Sequence, residues 1–300
     1  MINDIYKKQV ALLIRIMPSV YRIKDFAVHG GTAINLFHKN MPRYSVDIDL
    51  TYIPIKSRDE SFKDINQHLK TLSASIKKTI PGVKIIHKLK VLKLHCVLDG
   101  AMVVIEVNGI KRGVIGELED YELCEKAQKV YKMTCKARTV SYSQLYGGKI
   151  AAALSRQHPR DLFDCNYMNI QSFDEVKEGF IFSLLGSDKP IIESLQPNVI
   201  NQIKALENQF AGMSDVPFLY SDYERARKEL IEKVNFSLTN TDKAFLISFE
   251  KGNPTWSECC AGDLSIYPSV KWKLKNIANL IKADPQKHQE GVDKLYNFLF

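Results

Sequence analysis

Apolar and polar positions along this chain follow two periods, and the switches between them mark out its elements. Ile5, Val10, Leu13, Ile14 and Met17 recur at helical spacing, which predicts a first helix capped at Asn3 or Asp4 and running to about Arg22. An apolar run from Phe26 to Val28 then meets Gly30-Gly31, followed by a short apolar segment with helical spacing. Beyond a turn around Pro42 the period drops to two. Val46-Asp47-Ile48-Asp49-Leu50 reads as a strand with its two aspartates on one face and its aliphatic residues on the other. Phe62, Ile65, Leu69, Leu72 and Ile76 predict an amphipathic helix from Ser57 to Ile80, stopped by Pro81-Gly82. Val83 to Val107 is a β region whose centre, VLKLHCVL-DG-AMVVIEV, signals a hairpin, because Asp99-Gly100 supplies the positive φ angles of a type I′ turn.

Farther on, Lys136 to Val140 reads as a last short strand, Ser141 as the cap of a helix starting near Tyr142, and Pro159 as the start of the next. From about Phe173 the spacing predicts helices over 173–185, 199–210, 220–234, 242–250, 272–282 and 285–300. Strands and helices segregated in this way give an α+β fold. The expected organisation is an N-terminal lobe, residues 1–140, with a mixed β-sheet and flanking helices, and a helical lobe over residues 141–300.

Composition narrows the class. With 45% hydrophobic and 25% charged residues in 300, the chain buries a sizeable core and is not disordered. No run approaches the roughly 18 apolar residues of a membrane helix, and Met1 to Lys8 lacks the apolar core of a signal peptide. A cytoplasmic protein with no membrane partner is expected. The six cysteines show no CxxC spacing, so zinc is not expected and free thiols are. Charge is uneven: residues 1–150 carry 25 Lys and Arg against 14 Asp and Glu, a net of +11, and the remainder nets −3. A basic first half suits a polyanion such as RNA or a nucleoside triphosphate, or simply a solvated lysine-rich surface.

The candidate chemistry sits in that basic half. Asp47 and Asp49, about 7 Å apart along a strand, can share one or two divalent cations. Gly30-Gly31 before a helix leaves backbone N–H groups pointing outward, a cradle for phosphate oxygens. Each signal alone is ordinary, a solvated strand face and a turn. Together, with room for one short helix between them, they point to phosphoryl or nucleotidyl transfer.

GGTAINLF (Gly30 to Phe37) followed by RYSVDIDL (Arg43 to Leu50) resembles the AbiEii/AbiGii toxin family of nucleotidyltransferases, within the DNA polymerase beta-like superfamily. A second block, GGKIAAALSRQHPRDLFD, adds Lys149 and then Arg160, Asp161 and Asp164. The resemblance covers roughly Phe26 to Tyr167. It implies an enzyme that moves a nucleoside monophosphate from a nucleoside triphosphate to an acceptor hydroxyl with Mg2+, or Mn2+ in its place. Asp47 and Asp49 would hold the metal, and Glu106 is the candidate third carboxylate, the alternative being an edge-strand glutamate in water. Gly30, Gly31 and Thr32 would cradle the triphosphate, with Arg43, Ser45 and Arg160 also on the nucleotide and Lys149 steadying the β- and γ-phosphates. Arg160 has a second reading, as support for Asp47, Asp49 or Asp164. Asp161 is favoured as the functional acid of its cluster, with Asp164 the alternative.

The family implies a toxin with a separately encoded antitoxin, and the 3′ end of tRNA as acceptor. Two other readings stay open, transfer of AMP or UMP to a protein hydroxyl and a non-catalytic nucleotide- or antitoxin-binding module. Lys271, Lys273 and Lys275 beside Trp272 and Tyr267 read as a solvated helix face, with nucleic-acid contact as the alternative.

Overall fold

The computed structural model describes residues 2–300, with side chains from Asp4 onward. The chain forms two compact units. One holds the chain up to Ser141 together with Lys204–Phe218; the other holds Tyr142–Ile203 and Leu219–Phe300. The segment Lys204–Phe218, which a single boundary would assign to the later helices, therefore returns to the first unit.

The first unit is built on a seven-stranded mixed sheet. Its strands are β1 (Phe26–His29), β2 (Asp47–Tyr52), β3 (Lys84–Lys88), β4 (Lys93–Leu98), β5 (Ala101–Asn108), β6 (Glu119–Glu122) and β7 (Lys136–Thr139). Their spatial order is β3-β4-β5-β2-β1-β7-β6. The pairs β2–β5 and β1–β7 are parallel, and the rest are antiparallel. Helical pieces accompany them, among them α1 (Ile2–Tyr21), α2 (Gly30–Thr32), α3 (Arg58–Thr79) and α4 (Glu125–Tyr131).

The pleat sorts the sequence as its alternation predicts. Ile48, Leu50 and Tyr52 of β2, Val103, Ile105 and Val107 of β5, and Leu94 and Cys96 of β4 are all buried. Helix α1 packs on β5 and β7, and α3 packs on β3 and β4. Each buried aliphatic side chain contributes about 1.5–3 kcal/mol, so this layer fixes which face of the sheet stays accessible. Asp47, Asp49, Val104, Glu106, Lys93 and His95, at the intervening positions, are only partly covered.

Local signals account for the element ends. Ser57 caps α3 in a reciprocal capping box: its Oγ accepts from Glu60 N–H at 3.3 Å, and Glu60 Oε2 accepts from Ser57 N–H at 3.2 Å. Asp99 (φ 48°) and Gly100 (φ 80°) both take positive φ, which closes the β4–β5 hairpin. Two expectations change, and one strand carries no signal in the sequence. Ile5, placed on the buried side of α1, is 56% exposed. The acidic stretch Glu119–Glu122 is a strand, β6, held by antiparallel pairing with β7 and not by apolar alternation. The helix expected over 199–210 shrinks to Ile203–Ala205 and a π-helical turn Leu206–Phe210, where Ala211 N–H reaches back to the Leu206 carbonyl at 3.1 Å.

The second unit is helical. α5 (Tyr142–Arg156), α6 (Pro159–Tyr167) and α7 (Asp174–Leu185) form its start. α5 and α7 pack backbone to backbone: a Cβ at Gly147 would strike the backbone of Phe180 and Gly179, and one at Gly179 would strike the Ser143 carbonyl. The helices Tyr220–Ser237, Asn240–Glu250, Pro268–Ala283 and Pro285–Leu299 follow. Lys273 is not part of a solvated face. It is buried and donates to the carbonyls of Leu184 (3.2 Å) and Lys189 (2.6 Å), while Trp272 beside it is exposed. No helix among the described residues is long and apolar enough to cross a membrane.

Candidate functional site

β1 ends at His29, and the chain turns sharply at Gly30, whose φ of +70° lies in the left-handed region. The antiparallel β1–β2 register sets His29 opposite Asp49. That register directs the Asp49 carboxylate at the turn. A Cβ on Gly30 would lie 2.6 Å from Asp49 Oδ2, so only glycine leaves room for it. At Gly31 a Cβ would lie 2.6 Å from Arg43 Nη2 and 3.0 Å from Ser45 Oγ. The Thr32 hydroxyl donates a hydrogen bond to the Asp47 carbonyl oxygen at 2.5 Å and lies 3.0 Å from Ser45 Oγ. Gly30, Gly31, Thr32, Arg43, Ser45, Asp47 and Asp49 are thus one constellation within the first unit.

The helical segment that follows the glycines is short and wide. One α-turn, α2, passes into a π-helical turn over Ala33–His38, and Asn35 Nδ2 donates to the Gly31 carbonyl at 2.9 Å. At its end His38 packs against Tyr121 with the rings tilted by 35°, and burial pushes its imidazole pKa down to about 4, so the ring is neutral at ordinary pH. The first N–H groups of such a segment have no partner within it, the property that suits a phosphate.

The strap Pro42–Ser45, which carries Arg43 and Ser45 to Gly31, is held from outside. Tyr44 N–H donates to the Met213 carbonyl at 2.7 Å, and Ser214 Oγ donates to the Pro42 carbonyl at 3.1 Å. Lys126 Nζ bridges the Met41 carbonyl (3.1 Å) and Asp215 (3.2 Å). Residues 213–215 belong to the segment that returns to this unit, and nothing in their composition foretells that role.

Strand pairing extends the site sideways. Asp49 is in register with His29 on one side and with Glu106 on the other; Glu106 is paired with Lys93, and Lys93 with Lys88. In-register partners share a face, so these five side chains form one row across five strands. Glu106 is where the sequence places a third carboxylate, but its Oε2 is 2.6 Å from Lys93 Nζ. Among the described residues no group of three His, Cys, Asp or Glu side chains is gathered closely enough to hold a metal ion. His29 and Lys93 are two members of this row that sequence reasoning missed. The available signals were the position of His29 just before the glycine pair and the polar alternation of Lys93 and His95 in β4. His29 Nδ1 lies 3.1 Å from Thr51 Oγ1.

The second cluster lies in the second unit. Lys149 stands in the middle of α5 and is 7% exposed. Its Nζ lies 3.1 Å from Asp161 Oδ1 and 2.9 Å from Asp164 Oδ2, both on the buried side of α6. Arg156, seven residues or about two turns beyond Lys149, reaches Asp161 Oδ2 at 2.9 Å. Burial works to raise the Asp161 pKa, but Lys149 and Arg156 outweigh it and hold the carboxyl below its usual range. Asp161 and Asp164 therefore share one lysine. Arg160, the neighbour, is in no ion pair among the described residues, and Lys149 holds Asp164 in its place. Cys165, partly buried beside these charges, has its thiol pushed well above its usual pKa by burial.

In the first unit the arrangement supplies two hard oxygen donors on a partly covered face, the pattern Mg2+ takes with substrate phosphates. A glycine turn adjoins them, with a guanidinium and two hydroxyls packed against it. Comparison with known proteins agrees with this chemistry. The sequence model described as the nucleotidyl transferase AbiEii toxin of type IV toxin–antitoxin systems matches residues 12–276. Among solved structures the chain is similar to MenT4, a nucleotidyltransferase toxin from Mycobacterium tuberculosis H37Rv, with a TM-score of 0.59 and 14% identity, covering 90% of this chain and 91% of that one. At that identity the likeness shows the shared fold. No curated protein is significantly similar in sequence. Family membership carries with it a nucleoside triphosphate substrate, usually a divalent metal, and an antitoxin partner. The chain belongs to the AbiEii family, the nucleotidyltransferase toxins of type IV toxin–antitoxin systems.

Proposed function

We propose that this enzyme moves a nucleoside monophosphate from a nucleoside triphosphate to an acceptor hydroxyl at the 3′ end of tRNA, with Mg2+ held by Asp47 and Asp49. The observation that carries the reading is the approach of Asp49 Oδ2 to Gly30, which puts a cation ligand against a phosphate cradle. The metal, when bound, draws charge from the transferring phosphate and from the departing pyrophosphate.

The chain's own residues orient the triphosphate. Backbone N–H groups at Gly31 and Thr32 take phosphate oxygens, and the Arg43 guanidinium, packed where Gly31 has no side chain, adds charge and a donor fork. The Ser45 hydroxyl donates to a phosphate oxygen. The acceptor oxygen then bonds to the α-phosphorus as the bond to the β-phosphate oxygen breaks. Pyrophosphate leaves with that electron pair, and the hydroxyl proton passes to solvent. Lys149 enters on the family resemblance alone, as a charge for the β- and γ-phosphates. tRNA as acceptor is supported by the net +11 of residues 1–150 and by Lys88 and Lys93 on the face that carries Asp49.

The test is incubation of the protein with Mg2+, total tRNA and each of the four labelled nucleoside triphosphates in turn. Label on RNA supports the proposal. Label on protein redirects the acceptor to a protein hydroxyl, and label on neither removes transfer to both.

A further inference from the structure

We propose that Lys93 is a positioning residue that holds Glu106 apart from the Asp47–Asp49 pair. The resting site then offers a divalent cation two carboxylates, and the third joins only when Lys93 is drawn away. The inference rests on Asp47 and Asp49 being the cation ligands and adds a control over how many carboxylates serve.

The strand order sets up a choice of direction. Glu106 on β5 has β2 on one side and β4 on the other. Toward β2 lies Asp49, its register partner, on a strand about 4.8 Å away. Toward β4 lies Lys93, also its register partner. A carboxylate turned to β2 meets like charge from Asp49 and Asp47, while one turned to β4 meets an ammonium. The lysine wins, and Glu106 Oε2 sits 2.6 Å from Lys93 Nζ.

The pair is built to be undone. The Lys93 side chain is 31% exposed and that of Glu106 44%, and ion pairs this open to water are held weakly. Lys88, the register partner of Lys93 on β3, keeps the flank positive. A phosphate group of the acceptor strand arriving there exchanges for Glu106 as the partner of Lys93. Glu106 is then released toward Asp49, so acceptor binding completes the carboxylate set.

The experiment titrates Mn2+ into full-length, nucleotide-free protein and follows free Mn2+ by electron paramagnetic resonance. It compares wild type, K93M, E106Q, the double variant and D49N. The expected pattern is a coupled cycle. E106Q alone changes Mn2+ affinity by less than about twofold, because Glu106 is not a resting ligand, while K93M tightens it about three- to fivefold. The double variant loses that gain. K93Q, which avoids a new apolar side chain, repeats K93M, and thermal melting confirms that each variant is folded.

The proposal is overturned if E106Q alone weakens binding tenfold or more, if K93M and K93Q bind no tighter, or if the two effects simply add. A different failure marks the underlying assignment. If D49N binds Mn2+ as well as wild type does, Asp49 is not a ligand, whatever Lys93 does.

Discussion

Asp49 and Asp164 are the same chemical group in motifs of the same resemblance, and the fold treats them in opposite ways. Asp49 lies on the partly covered face of a strand, aimed at a glycine turn. Asp164 has no exposed side-chain surface and is tied to Lys149 at 2.9 Å. A half-covered carboxylate on a rigid strand keeps lone pairs for a cation. A buried one survives only with its charge compensated, because removing charge from water costs several kcal/mol per ion. On the proposed reading the glycine corner serves ligands, while the lysine cluster first has to compensate its own buried charges. Substitution should separate the two regions by what fails, activity or folding.

The largest separation is expected at the corner. Asp49→Ala removes a cation ligand without opening the core, so nucleotide transfer falls by about 10³-fold or more while the melting temperature changes little. Comparable loss of melting temperature would mean that Asp49 is structural. In the other cluster Lys149→Met takes the shared ammonium from buried Asp164 and leaves Asp161 to Arg156, and calorimetry should show a loss of about 3–5 kcal/mol in stability, whatever it does to activity. A stable Lys149→Met protein would contradict the compensation argument. Gly30→Ala sharpens the comparison from the other side, since it forces positive φ on alanine and puts a methyl where Asp49 Oδ2 sits. It should cost about 1–3 kcal/mol in denaturant melts and abolish transfer as well, the one change here that damages both.

The smallest effect is a pH dependence. Asp161 has its folded pKa below the unfolded value of about 4. Its contribution is fully present above about pH 4 and is lost as pH falls through the lowered folded pKa. Asp161→Asn should therefore flatten the fall of stability below pH 4 and leave the slope near neutrality unchanged. An unaltered acid limb would show that Asp161 is not held in its charged form.

Much of the corner was legible in the sequence because its signals are local. The alternation of Val46 to Leu50 fixed which side chains of β2 face together, and the glycine pair fixed a turn. Asp99-Gly100 placed the β4–β5 hairpin, with both residues at positive φ. What was not legible depends on pairing between distant segments. The parallel register that sets Glu106 beside Asp49 joins strands separated by helix α3 and a hairpin, and periodicity carries no information about it. The same holds for Met213 to Asp215, which pin the strap of Arg43 through one backbone carbonyl, a serine hydroxyl and a carboxylate, all from a segment far along the chain. In the lysine cluster the three-residue spacing of Asp161 and Asp164 placed both on one face of α6. Their burial and their shared lysine come from how α6 packs against α5, a tertiary fact.

Nucleotidyl transfer at the corner is tested most directly by the position of the label within the triphosphate. Wild type and Asp47→Ala are given RNA, Mg2+ and the preferred triphosphate labelled either at the α- or at the γ-phosphorus, and label on the RNA is counted. The account predicts that α-label reaches the RNA, that γ-label leaves with pyrophosphate, and that Asp47→Ala transfers neither. Transfer of γ-label to the RNA, or undiminished α-transfer by Asp47→Ala, would contradict it.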